Sequence, residues 1–223
     1  MHIRDLTQFL AELSENNNRA WFVMNKPRYD ILRAEFLELV ITLIADISKF
    51  DPAVAGCNPK KALFRINRDM RFSRDKSPYK TTFSAAITAS GLKKPSQGGG
   101  PAYYFHIDAN ATLLVAGGEY MPPAPRLLEI RRHVIADAAA FSKVLKNRKL
   151  NDTFGGLQQE GKLLRPPKGF DAGEPHVESL KLKNFIVWKE SSVKKKLSED
   201  LRKELTAGFK DSYPLINWLR QAK

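Results

Sequence analysis

Cysteine is almost missing from this chain: Cys57 is the only one in 223 residues. A lone thiol can close no intrachain disulfide and can assemble no thiolate metal site. That composition suits a reducing cytoplasm. Long apolar runs are missing as well. No stretch of the sequence approaches the roughly 20 apolar residues that a membrane span needs. The N-terminal MHIRDLTQFLAEL enters helical periodicity at once, without the apolar core of a secretory signal. The expectation is a soluble, cytoplasmic protein with no membrane partner. Histidine is scarce, with four in all. The chain has no Gly-x-Ser-x-Gly elbow, His-Glu-x-x-His helix, dinucleotide fingerprint or Cys-x-x-Cys pair. No metal and no cofactor is expected.

Negative charge is also in short supply. Asp and Glu number 24 against 37 Lys and Arg, a net charge of +13. The surplus is concentrated. Residues 60–100 hold ten bases and two acids, and residues 181–203 hold eight bases and three acids, so these two stretches carry the whole net charge. Charge gathered in this way points to a localised anionic partner, with nucleic acid as the largest version.

The centre of the chain is FRINRDMRFSRDKSPYKTT, Phe64 to Thr82. Arg65, Arg68, Arg71, Arg74, Lys76 and Lys80 face only Asp69 and Asp75, with Phe64, Phe72 and Tyr79 interleaved. The apolar residues follow neither the helical nor the strand period, so the stretch reads as an ordered loop. A guanidinium presents a fixed fork of donors that suits carboxylate or phosphate. The cluster is therefore either an internal ion-pair network or an anion site. Phe72 and Tyr79 could stack on bases or sugars, or could plug the core.

Around this loop the chain alternates between clear elements and breaks. Leu6, Phe9, Leu10 and Leu13 mark a first helix capped by Asp5 and ended by Asn16-Asn17-Asn18. Trp21 and Phe22 read as core anchors in a short turn. Pro27 suits the first turn of a long helix bearing Leu32, Phe36, Leu39, Val40, Leu43, Ile44 and Ile47, stopped at Asp51-Pro52. Residues 53–61 read as a linker and Leu63–Ile66 as a short strand. Residues 83–90, 102–108 and 112–120 read as strands, the last two forming a hairpin. Gly91 to Pro101 reads as a flexible connection or lid. After Pro122, Pro123 and Pro125 come helical segments around Leu127–Ile135 and Phe141–Leu145. Gly155-Gly156 is a turn, Leu163–Arg165 an extended piece, and Phe185–Trp188 a further strand. Val193 to Phe209 marks a long helix with Lys194, Lys195 and Lys196 on its polar face, and Pro214 separates off a last turn. Strands in the middle with helices at both ends predict an α+β fold with a mostly antiparallel sheet, in one domain over residues 1–223.

The central motif, Arg65, Ile66, Arg68, Asp69, Arg71, Phe72, Ser73, Lys76, Pro78, Tyr79 and Lys80, resembles a bacterial family known as domain of unknown function 2461. Asn17-Asn18-Arg19 with Trp21-Phe22, Gly117-Gly118 followed by Pro123 and Arg131, Pro167-Lys168-Gly169-Phe170, and Leu180-Lys181 with Lys183 are similar to it too. The resemblance covers nearly the whole chain. It implies a single α+β domain and no established activity.

Two function classes stand. One is a module that binds a phosphate- or carboxylate-bearing ligand, or nucleic acid, through Arg65, Arg68, Arg71, Lys76, Tyr79 and Lys80, with Arg131 joining them. The other is an enzyme acting on a small phosphorylated or acidic substrate, with Asp69, His106 and Glu119 as acid–base candidates. His106 and Asp108 share a strand face, with Glu119 at the end of the neighbouring strand.

Overall fold

The computed structural model describes residues 1–69, 71, 75–89 and 100–223. The expectations placed on Phe72, Ser73 and Arg74, and on most of the proposed lid, lie outside these residues. Helix α1 (Ile3–Glu15) buries Ile3, Leu6, Phe9, Leu10 and Leu13, as its spacing dictates. It starts at His2, so Asp5 is no cap. Asp5 instead lies in the first turn and accepts from Arg28 Nε at 2.8 Å.

Helix α2 (Arg19–Ser48) begins eight residues earlier than the proline suggested. The side chain of Asn18 accepts the Trp21 N–H at 3.0 Å and supplies the start signal. Pro27 lies inside the helix, where it has no N–H to offer the carbonyl one turn back. That loss is tolerated on the outer side, where Val23 and Met24 are exposed and water can serve the carbonyl. The expected linker is partly ordered into a single 3₁₀ turn, Pro52–Val54, and a short helix α3 (Pro59–Ala62).

The sheet consists of β1 (Thr82–Thr88), β2 (Ala102–Asp108), β3 (Thr112–Glu119) and β4 (Phe185–Ser192), antiparallel throughout and in the order β1-β2-β3-β4. At the β2–β3 hairpin Asp108 accepts the N–H groups of Asn110 and Thr112, at 2.9 and 2.8 Å. Between β3 and β4 run α4 (Ala124–Ala136), α5 (Ala138–Leu145), α6 (Arg148–Phe154) and α7 (Val177–Leu180). Helix α6 was not anticipated, although Asn147, which caps it, and Gly155, which ends it at φ 72°, are both visible signals. Helix α8 (Ser198–Leu219) runs straight through Pro214, and Lys194–Lys196 precede it in a turn.

Alternation along the strands divides the sheet. One face carries Phe83, Ala85, Ile87, Tyr103, Phe105, Ile107, Leu113 and Val115, all buried in one core with α1, α2 and α8. Phe36 of α2 stacks on Phe105 with ring centres 5.2 Å apart. Toward β4 the same face meets a second cluster, in which Phe185 and Val187 pack with Phe141, Leu215 and Trp218. The glycine pair of β3 belongs to this arrangement. A β-carbon on Gly117 would lie 2.3 Å from Ser212 Oγ of α8. One on Gly118, whose φ is +131°, would lie 2.2 Å from the Phe185 carbonyl oxygen.

Neither sheet edge is left bare. Leu63–Ile66 does not form the expected strand, but Leu63 bridges Ala85 and the Phe64 N–H donates to Ser84 O at 3.0 Å. On the far edge Gln158 donates its N–H to Ile186 O at 3.0 Å and its side-chain amide to Trp188 O at 3.3 Å. Leu163–Arg165 bends instead of extending, and Leu163 donates to Lys181 O. Among the described residues no helix is long and apolar enough to cross a membrane. Gly118→Ala combines a forbidden backbone angle with a backbone clash, so it should cost at least about 2 kcal/mol in urea unfolding. An unchanged midpoint would refute that packing.

Candidate functional site

The second face of the sheet carries Ser84, Ala86 and Thr88 of β1, Tyr104 and His106 of β2, Leu114 and Ala116 of β3, and Ile186 and Trp188 of β4, by the same register. No described helix packs over its centre. A trough of about 440 Å³ lies there, floored by Tyr104, His106, Leu114, Ile186 and Trp188. Its walls are the segments that close the sheet edges. Phe64 rises beside β1 and meets Tyr104 edge-on at 5.9 Å, and Glu160 rises beyond Gln158 on the β4 side. Tyr120 closes one end, 6.4 Å from the Trp188 ring. The trough is thus aromatic and mostly apolar, with few polar groups, which is the usual make-up of a small-ligand site.

Those polar groups are tuned by burial. Desolvation pushes His106 below the ordinary histidine range, opposed by the charges of Asp108 and Glu190. Burial pushes the Tyr104 hydroxyl up, with a hydrogen bond from Ser84 acting the other way. Both groups are therefore neutral at pH 7.

The basic loop lies along the β1 wall. Arg71 holds Asp69 through its side chain at 2.9 Å, and this hydrogen bond pushes the exposed carboxylate down to about 2. Arg68 pairs with Asp75 at 2.9 Å and donates to Tyr79 O at 3.3 Å. Arg65 and Lys76 are exposed. Lys80 Nζ stands 5.5 Å over the Phe64 ring, which joins the loop to the trough wall. Tyr79 is 6% exposed and stacked on Phe22 at 4.0 Å, with its backbone held on both sides by the Asn17 amide. It plugs the core beneath the loop.

The candidates read from the sequence therefore fall into separate places. Arg65, Arg68, Asp69, Arg71, Lys76 and Lys80 are together in the loop, and His106 is in the trough beside it. Glu119 and Arg131 are elsewhere. Glu119 is 1% exposed on the helix-covered face and is held by Arg126 at 2.6 Å. Arg131 is buried against α7 and β4, where it donates to Leu182 O at 2.9 Å and burial lowers its pKa. Among the described residues no three His, Cys, Asp or Glu side chains form a group that could hold a metal ion. Sequence reasoning missed Phe64, Tyr104 and Trp188 as lining residues. The signal was present in AYYFHID, where Tyr104 and His106 put aromatic rings on the strand face opposite Tyr103, Phe105 and Ile107.

The two basic stretches flank opposite edges of the sheet, the described loop residues of 60–100 beside β1 and 181–203 around β4. Architecturally the chain is an α+β protein with a four-stranded antiparallel sheet and one helix-covered face. It belongs to the family described as "Conserved hypothetical protein (DUF2461)", whose model matches residues 5–218. No curated protein and no solved structure matches it.

The ion pairs of the two regions should separate on mutation. Arg126→Ala strands the buried Glu119 and should cost about 3–5 kcal/mol. Arg68→Ala breaks a pair whose Asp75 partner is 54% exposed, and should cost no more than about 1 kcal/mol. Urea titrations of both variants check this. The reverse order would make the loop a structural network.

Proposed function

We propose that this protein binds a small organic anion whose flat apolar body lies in the trough and whose charged group meets the basic loop at the Phe64 wall. The trough itself carries the reading: about 440 Å³ bounded by Phe64, Tyr104 and Trp188 on an otherwise finished sheet. Aromatic side chains on such a floor stack with planar groups, each contact worth about 1–3 kcal/mol for a nucleobase-sized ring. The loop supplies the charge complement, since its sequence carries more bases than acids and Lys80 stands over the Phe64 ring of the wall. Nucleic acid is the weaker version, since the two basic stretches flank opposite edges of the sheet. A cytoplasmic setting, in keeping with the single thiol, is part of the same proposal.

The test uses 2-naphthoate and its uncharged counterpart 2-methylnaphthalene, titrated by calorimetry at moderate salt. The naphthoate should bind at one saturable site. Trp188→Ala should weaken both probes at least about fivefold. Lys80→Glu should weaken the naphthoate and leave the hydrocarbon unchanged. Absence of saturable binding, or equal affinity in Trp188→Ala, would overturn the proposal.

A further inference from the structure

The polar groups on the trough floor form a chain with a direction. The Tyr104 hydroxyl lies 3.1 Å from His106 Nδ1. Ser84 sits directly across from His106 in the β1–β2 register and acts to lower the pKa of that hydroxyl. A phenol is the stronger acid of the pair and an imidazole nitrogen the stronger base. The tyrosine proton therefore goes to Nδ1. This order fixes the neutral imidazole as the tautomer with its proton on Nε2. Among the described residues no protein group bonds to that nitrogen, and His106 lines the trough.

We propose that His106 Nε2–H is the hydrogen-bond donor that fixes a ligand in the trough, so that the ligand carries an acceptor oxygen, a ring carbonyl or a carboxylate, against the floor. The inference rests on the trough being the ligand site and adds which chemical group that site selects. Leu114 beside the imidazole, and Trp188 and Ile186 on β4, offer no competing donor on the floor except the Trp188 ring N–H. The aromatic floor accepts flat rings in many orientations, whereas a directed imidazole N–H accepts one. Leaving that donor buried without a partner penalises any ligand that lacks the oxygen.

The experiment compares 2-acetylnaphthalene with 2-isopropylnaphthalene, which have similar shapes and differ in the carbonyl, on the parent protein and on His106→Phe. The ratio of ketone to hydrocarbon affinity should fall about tenfold in the variant. Nitrogen-15 NMR of the unmodified protein should show the His106 ring protonated on Nε2, and Tyr104→Phe should shift population toward the Nδ1–H form. If the hydrocarbon binds and the ratio is the same in His106→Phe, this inference fails and the trough reading survives. A ring protonated on Nδ1 in the parent protein would also overturn it. If neither probe binds, the trough reading falls and this one with it.

Discussion

The structure depends on one constraint: a β-strand presents its side chains alternately to two sides, and the described helices cover only one of them. Every large apolar group on the covered side, from Phe83 to Val187, is drawn into packing with α2, α8 or the α4–α6 cluster. The uncovered side is not polar in compensation. Tyr104, Leu114, Ile186 and Trp188 occupy it in register. Such a surface requires either a cover or an occupant. The edge segments are what turn it into a concavity, because the residues that satisfy the edge strands are followed at once by Phe64 on one side and Glu160 on the other.

Charge is divided between two jobs. Three buried carboxylates, Asp46, Asp51 and Glu119, are each met by an arginine from α8, its end or α4: Arg202 at 2.7 Å, Arg220 at 2.7 Å and Arg126 at 2.6 Å. These pairs tie α8 and its end to α2 and its end, and α4 to β3, and losing the partner of a buried carboxylate is costly. In the loop the pairs Arg68–Asp75 and Arg71–Asp69 are open to water. They shape the loop, in which Arg65 and Lys76 are exposed.

The fold was largely legible, and the misses share a cause. Regular periodicity located α1, the meander and the antiparallel sheet. Prolines misled the reading three times. In the sequence Pro27 and Pro214 mark boundaries, yet both lie within helices, because tertiary packing of Phe22, Leu32, Leu215 and Trp218 outweighs a local propensity of about 3 kcal/mol. Pro125 lies in the first turn of α4, where its missing N–H costs nothing. The candidate site was half legible. Arginine density singled out the loop, but nothing in single-strand alternation says that Glu119 and His106 face opposite ways until the β2–β3 register is known. Arg131 was grouped with the loop on sequence likeness alone, and only the sheet order separates them.

Asp51 lies just past the end of α2, and its carboxylate receives both Tyr103 Oη, at 2.7 Å, and the guanidinium of Arg220. This contact spans 169 positions of the chain. During synthesis, therefore, the meander emerges long before the helix that must cover it. Until α8 leaves the ribosome, Phe105 and Val115 have no Phe209 or Leu205 to pack against, and the carboxylate beside Tyr103 waits without its cation. Helix α8 acts as a latch for a sheet made earlier.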